Sequence, residues 1–268
     1  MAQIHATAVL DGEIDLAEDV SIGPYCVLTG LIRIGAGSRL FGNVYLQGPL
    51  MLGAGNVLYP FVCLGFAPQS LGYDPSQPGQ GLVIGDGNTF REGVTIHRAM
   101  TGAGPTRVGD RNYCMANSHI GHDAQIGSHC VFANGTLFGG HVHIGDRVVT
   151  GGNAAVHQFC RVGRGAMLSG VAGLSRDLPP YFMLTGINIA GSINLIGLRR
   201  SGLPRSSVDD VRWVYRTLYR RGLSLSEARA ELESARDERP IVAEYLEFLD
   251  CSERGLCPAD ADDRRGKT

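Results

Sequence analysis

Ile120-Gly121-His122-Asp123-Ala124-Gln125-Ile126-Gly127-Ser128-His129-Cys130-Val131-Phe132 returns an apolar residue at every sixth position. Outward from this stretch the period continues. Towards the C-terminus it runs through Phe138, Ile144, Thr150, Val156, Val162, Leu168 and Leu174, and in the other direction through Cys114 and Val108. Ile84, Phe90 and Ile96 form an earlier block, and Ile4, Leu10, Leu16, Ile22, Leu28, Ile34, Leu40, Leu46, Leu52, Leu58 and Leu64 an unbroken first run. Six is too long a step for an amphipathic helix and is not the alternation of a lone strand. A short fixed period is the mark of a solenoid, each repeat placing one side chain on a continuous axial core. Gly23, Gly35 and Gly53 directly follow ladder positions, as in hexapeptide repeats. Thr150 and Cys114 are the soft spots, and both are small enough for a narrow interior. The expectation is a mainly β protein, a hexapeptide β-helix.

Two stretches break the phase: residues 66–82, rich in Gly, Pro, Gln, Ser and Tyr, and Ala99 to Thr106. Both read as loop excursions from the coil. From Asp177-Leu178-Pro179-Pro180 the repeat fades, and from Pro204 helix formers take over. Val208, Val211, Tyr215 and Leu218 stand at helical spacing, with Arg212, Arg216 and Arg220 as a second stripe. Ser224-Leu225-Ser226-Glu227 is a capping box for the next helix, and Pro240 opens a third. The chain therefore divides into a solenoid at 1–190, a C-terminal α-helical domain at 191–257 and a polar, frayed tail at 258–268.

The composition narrows the function classes. Among 268 residues, 44% hydrophobic and 19% charged residues describe a globular chain, and 38 glycines a backbone that turns often. A formal charge of -2 leaves no basic surplus for nucleic acid. Seven scattered cysteines with no CxxC point to reduced thiols in the cytoplasm. No signal peptide is evident at Met1-Ala2-Gln3-Ile4-His5, and no apolar run reaches the ~20 residues of a membrane span.

Six histidines fall late in the coil: His119, His122, His129, His141, His143 and His157. If three repeats close one triangular coil, residues eighteen apart stack. His122 then lies on Gly140, Asp123 on His141 and Gly139 on His157, while His119 lies on the apolar Leu137. A histidine of near-neutral pKa can take a proton from an attacking hydroxyl. Asp123 would fix the ring, and the Gly139-Gly140 pair could offer a bare N–H to a developing oxyanion. A lone surface histidine is usually only solvated, and His129 and His143, outside these pairings, keep that reading. The stripe of Arg212, Arg216 and Arg220 is more often a solvated helix face than a docking surface, and its charge would suit docking of an acidic protein partner. Three convergent histidines could instead hold zinc, but the spacing does not select which three.

Asn117-Ser118-His119-Ile120-Gly121-His122-Asp123, Gly139-Gly140-His141 and Ala155-Val156-His157-Gln158-Phe159-Cys160 resemble the core of bacterial acyl-carrier-protein-dependent UDP-N-acetylglucosamine O-acyltransferases, which start lipid A synthesis. Arg91-Glu92-Gly93-Val94-Thr95-Ile96-His97-Arg98, Asp177-Leu178-Pro179-Pro180-Tyr181 and Asn194-Leu195-Ile196-Gly197-Leu198-Arg199-Arg200 support the likeness, which runs from about residue 4 to 250. The resemblance implies a left-handed parallel β-helix with a C-terminal helical domain, a cytoplasmic homotrimer, and active sites between subunits. It implies that His122 is the general base on the sugar 3-hydroxyl, that Asp123 supports it, and that Gly140 donates its N–H to the thioester oxygen. His119, His141, His157 and Gln158 would line the cleft, Gln69, Asn194 and Arg200 would bind substrate, and Gly170 would leave room for a long acyl chain. The partners implied are acyl carrier protein, whose thioester is the co-substrate, and a UDP-amino sugar. No other cofactor and no metal is implied.

The chain also departs from the family pattern. Ser70 and Gly72 stand where an aspartate and a lysine are usual, and Ile196 and Ser201 where a glutamate and an arginine are usual. The segment Gly186-Ile187-Asn188-Ile189-Ala190 is slightly short and lacks its usual histidine. Three alternatives therefore stay open: an acyltransferase with another acceptor or donor, a non-catalytic UDP-sugar-binding paralogue, and a zinc enzyme of the β-helical carbonic anhydrase kind.

Overall fold

The computed structural model describes residues 1–100 and 104–259. Part of the second excursion and most of the expected tail lie outside the described residues. Strands are two to four residues long, and up to Gly173–Leu174 each pairs in parallel with the strand three places on or back, because the chain turns a corner after every strand. Three sheets result, of eleven, nine and eight strands, and about ten turns of β-solenoid. The first face begins at Gln3–Ile4, the second at Val9–Asp11 and the third at Ile14–Leu16. The first corner leads from first to second face, the second corner from second to third, and the third corner back to the first.

The six-residue ladder is the core. From Ile22 to Leu64, and in the later blocks to Leu174, every ladder residue is buried, Thr150 included. Thr150 is tolerated because its hydroxyl meets Thr136 Oγ1 at 2.7 Å, which satisfies a polar group that would otherwise be costly inside. The first coil differs: with no coil beneath it, Ile4 is 48% exposed.

A second inward position lies two residues before each ladder residue. Val20, Cys26, Val44, Ala124, Cys130, Ala154 and Ala172 fill it, small because three faces converge there. At the third corner it carries stacked asparagines. The Asn88 backbone N–H donates to Asn56 Oδ1 at 2.9 Å, Asn112 N–H to Asn88 Oδ1 at 2.8 Å, and Cys130 N–H to Asn112 Oδ1 at 2.7 Å. These amides bond turn backbones that the strands cannot reach.

The corners impose a backbone rule. The third residue after a ladder position repeatedly adopts positive φ: Tyr25 (58°), Asn117 (60°), Asp123 (59°), His129 (60°), His141 (58°), Arg147 (58°) and Phe159 (66°). Left-handed geometry costs a non-glycine residue on the order of 1 kcal/mol or more. Hydrogen bonds between coils hold it, His141 N–H to His122 O at 2.9 Å and Phe159 N–H to Gly140 O at 3.1 Å among them.

After the last coil the strand Ala190–Ile193 folds back antiparallel on Phe182–Leu184, and four helices follow: α1 (Leu195–Arg200), α2 (Arg205–Tyr219), α3 (Leu225–Ser234) and α4 (Val242–Asp250). The capping box at Ser224 and Glu227 is present. The helices lock onto the solenoid through Tyr245, fully buried, whose hydroxyl donates to Pro180 O at 2.9 Å, and through a two-pronged ion pair of Arg164 with Glu244 (3.0 and 2.6 Å). The expected arginine stripe is only partly a solvated face. Arg212 and Arg216 are exposed, but Arg220 bends back, donating to Tyr215 Oη at 3.1 Å.

Phe132 is fully buried and meets Phe138 edge to face at 4.7 Å. Phe132→Ala is expected to cost about 3–5 kcal/mol, whereas Ile4→Ala should cost less than about 1 kcal/mol. Urea unfolding with an unchanged m-value checks both.

Candidate active site

The second corner gathers the chemistry. His122 and Asp123 occupy it in one coil, Gly140 and His141 in the next, and His157, Gln158 and Phe159 in the coil after. Both excursions also leave from this corner, between the strands Cys63–Phe66 and Leu82–Ile84, and between Thr95–His97 and Thr106–Val108.

His122 Nδ1 lies 2.6 Å from Asp123 Oδ2, an unusually close contact for neighbours in sequence, reached because the positive φ of Asp123 turns its side chain back. A carboxylate only accepts, so Nδ1 is the nitrogen that donates, and Nε2 is the one turned away from Asp123. Asp123 is held in turn: its N–H donates to Thr106 Oγ1 at 2.8 Å, and Met100 N–H donates to Asp123 Oδ2 at 3.0 Å. The His122 ring lies directly over Gly140, where a built Cβ would come within 2.8 Å of both Cε1 and Nε2. Glycine is required there for the imidazole to occupy its place at all.

His141 crosses the His122 ring edge to face at 5.1 Å and stacks on Phe159 at 4.5 Å with 8° between planes. Burial lowers the His141 pKa, partly offset by Asp123 at 3.8 Å from its Nε2. His119 stands beside the corner on the second face. Burial first, then the charges of His97 and His122, bring its pKa down to about 4. Its Nδ1 meets Thr95 Oγ1 at 2.8 Å, so the neutral ring is held in one orientation.

From His119 an outward column continues through Leu137, Ala155 and Gly173, one coil apart. It floors an apolar groove of about 470 Å³, with Ile187 and Asn188 at its far end. His157 and Gln158 are exposed at the rim. Gln69 is exposed on the first excursion, which the buried Arg98 ties to the coil by donating to Gln47 Oε1 and to the carbonyls of Gly65, Pro75 and Gln77 at 2.8–3.1 Å.

The remaining expected site residues lie elsewhere in the chain. Gly170 is exposed at the first corner, and a Cβ there would meet nothing closer than 3.5 Å. Asn194 and Arg200 line a separate cleft of about 370 Å³ with His129, Arg147, Met167, Tyr181 and Ile196. Asn194 is buried and caps α1, accepting from Gly197 N–H at 2.9 Å and donating to Gly165 O at 2.9 Å. Among the described residues one group of three donor side chains comes close enough to share a metal ion: His122, Asp123 and His141. That is not the three-histidine set of the zinc alternative.

Sequence reasoning assigned no part to Thr95, Thr106, Met100 or Phe159. Thr95 pairs with His119 across 24 residues rather than eighteen, because the second excursion intervenes. Counting back across that excursion would have found it.

Known proteins settle the family. The acyl-[acyl-carrier-protein]–UDP-N-acetylglucosamine O-acyltransferase of Halorhodospira halophila is 42% identical over 258 residues, 96% of this chain and 99% of that one. The chain belongs to this acyltransferase family. The enzyme of the same name from a Janthinobacterium species is 40% identical, over 96% and 99% of the two chains. Residues 177–257 match the profile described as UDP N-acetylglucosamine O-acyltransferase, domain 2, and 105–140 the bacterial transferase hexapeptide profile. The solved UDP-N-acetylglucosamine acyltransferase of Francisella novicida superposes with a TM-score of 0.93 at 34% identity, covering 97% and 95% of the two chains. An Arabidopsis relative gives 0.73 at 31%, over 96% and 98%.

Gly140→Ala should displace the His122 ring and lower kcat about a hundredfold, with a melting temperature within a few degrees of wild type; steady-state kinetics beside thermal melts separate the two. A histidine with a lowered folded pKa stabilises the protein above its unfolded value and loses that stability as pH falls. Melting temperature should therefore drop from about pH 6.5 towards pH 4, and His119→Asn should flatten the drop.

Proposed function

We propose that this acyltransferase moves a fatty acyl group, a 3-hydroxyacyl group in the simplest case, from acyl carrier protein to the 3-hydroxyl of UDP-N-acetylglucosamine, the first step of lipid A synthesis. The observation that carries the reading is the His122–Asp123 contact over the bare Gly140 backbone. His122 Nε2 takes the proton of the sugar hydroxyl as its oxygen attacks the thioester carbon. Asp123 keeps Nδ1 protonated and balances the imidazolium that forms. The Gly140 N–H faces the developing oxyanion. Collapse expels the thiolate, which takes the proton back from His122. The transfer is direct, the carrier thioester is the co-substrate, and no cofactor or metal takes part.

The acyl chain lies in the groove floored by His119, Leu137, Ala155 and Gly173, with His141, His157 and Gln158 at its head and Gly170 beyond its far side. The nucleotide takes the cleft of Asn194 and Arg200, and Gln69 approaches the sugar from the first excursion. Within one chain these two places lie on different faces. A homotrimer that sets the second corner of one subunit against that cleft of the next completes the site. The reaction is cytoplasmic, which fits seven free thiols and the lack, among the described residues, of a helix long and apolar enough to cross a membrane. Exposed Arg212 and Arg216, next to a cleft lined by Arg199 and Arg205, suit an acidic carrier protein.

His122→Ala should lower kcat by about 10²–10⁴ in a transfer assay with carrier-bound donor; turnover within a few-fold of wild type would reject the base assignment. Joint charge reversal of Arg212 and Arg216 should raise KM for carrier-bound donor about tenfold and leave a soluble thioester donor unaffected. Equal effects on both donors would reject the docking face.

A further inference from the structure

The outward column of the third face changes character along the solenoid. Near its start it reads Asp15, Arg33, Met51 and Val83, with Asp15 4.0 Å from Arg33. Beyond Val83 it reads Arg107, Gln125, His143 and Arg161, in register one coil apart. Rungs are about 4.8 Å apart, so two long guanidinium stems flank an amide and an imidazole. These residues form one wall of a cleft of about 660 Å³, and α4 forms the other through Glu244, Glu247 and Phe248, with Cys251 just beyond its end. Such a volume at a domain junction is that of a small-molecule site.

The charges in the cleft do not cancel. Glu244 is engaged by both prongs of Arg164, which leaves Arg107 and Arg161 facing Glu247 as the one other carboxylate lining the cleft, with Arg107 and Glu247 both exposed to solvent. Among the described residues neither Arg107 nor Arg161 makes an ion pair, and Arg161 Nε is buried without a hydrogen-bond partner. A buried donor left unmade costs the free energy of its lost hydration, and Asp177, the nearby carboxylate, is committed to Arg161 N–H at 2.7 Å and to the Ser252 hydroxyl at 2.6 Å. Burial, with the Arg161 charge added, lowers the His143 pKa against the pull of Glu253 and Asp177. The cationic character of this wall therefore comes from the two arginines, whose forked N–H groups match a tetrahedral oxyanion.

We propose that this cleft is a phosphate-binding site in which Arg161 and Arg107 clamp a phosphate ester, with His143 and Gln125 bonding its remaining oxygens. Two sources share that chemistry: the phosphate ester of an acyl carrier's prosthetic arm and a free phosphorylated metabolite. The site is separate from the His122 corner and is tested by binding, so its failure would leave the acyl-transfer reading untouched.

Isothermal titration of the full chain with inorganic phosphate, and separately with 4′-phosphopantetheine, tests it. Saturable binding weakened about tenfold by Arg161→Gln and by Arg107→Gln, partly restored in Arg161→Lys and unchanged in the control Arg33→Gln, is the expected result. Tighter binding of 4′-phosphopantetheine than of phosphate would support the site with the carrier's arm as its source. Equal affinity would support it with a free phosphate ester as its source. Absence of saturable binding of both probes, or binding indifferent to both glutamine variants, would overturn it.

Discussion

The structure depends on one constraint, the hydrogen-bonded stacking of each coil on the one before it. Because each rung hands its N–H groups to the next coil, a residue's place on the surface is fixed by its position within the coil. Corner residues pay for this in backbone geometry, and the positive φ of Asp123 and His141 is the same as that of Asn117 and Arg147, which do no chemistry. Strain here is a property of the corner. What distinguishes the site is which side chains were placed on it.

That placement explains how stacked parallel strands bring a carboxylate, two imidazoles and a bare glycine together at one corner. His122 and Asp123 are adjacent in sequence yet share a 2.6 Å contact, since the turn folds the carboxylate back on its neighbour. The next coil supplies an empty position at Gly140, the coil after that a ring at Phe159 on which His141 rests. A scaffold of rungs about 4.8 Å apart holds these groups with little freedom, the preorganisation that stabilising a developing charge requires.

The fold was legible because the period is short and its apolar residues are strong. The stacking of His122 on Gly140 and Asp123 on His141 followed from counting eighteen. Counting failed where the coil is interrupted: Thr95 reaches His119 across 24 residues, and Leu64 meets Ile96 across the first excursion. The second inward position was missed because it mixes valine, cysteine and alanine with buried Ser38, Asn56, Asn88, Asn112, Ser118 and Thr136, and so shows no uniform apolar period. Nor could spacing show that Arg220 turns inward, or that His129 and His143 line clefts instead of facing solvent alone. The substituted positions sit where substrate recognition is expected. Gly72 is exposed with open space around it, Ile196 is 63% exposed in the cleft of Arg200, and the Ser201 hydroxyl is spent on Leu198 O at 2.7 Å. The His122 corner keeps the residues that the resemblance implies while the rim departs from them, so recognition of acyl chain and acceptor is where a difference from the family is expected.

The central claim is direct transfer from a carrier-bound thioester to a nucleotide sugar at the His122 corner. The most direct measurement is mass spectrometry of product and intact protein, with a panel of acyl carrier protein thioesters offered against UDP-N-acetylglucosamine and its 3-amino analogue. The account predicts a mono-acylated nucleotide sugar and an enzyme mass that stays unacylated throughout turnover. Folded protein that yields no acylated product with any pair, or that accumulates a covalent acyl-enzyme on the way to product, would contradict it.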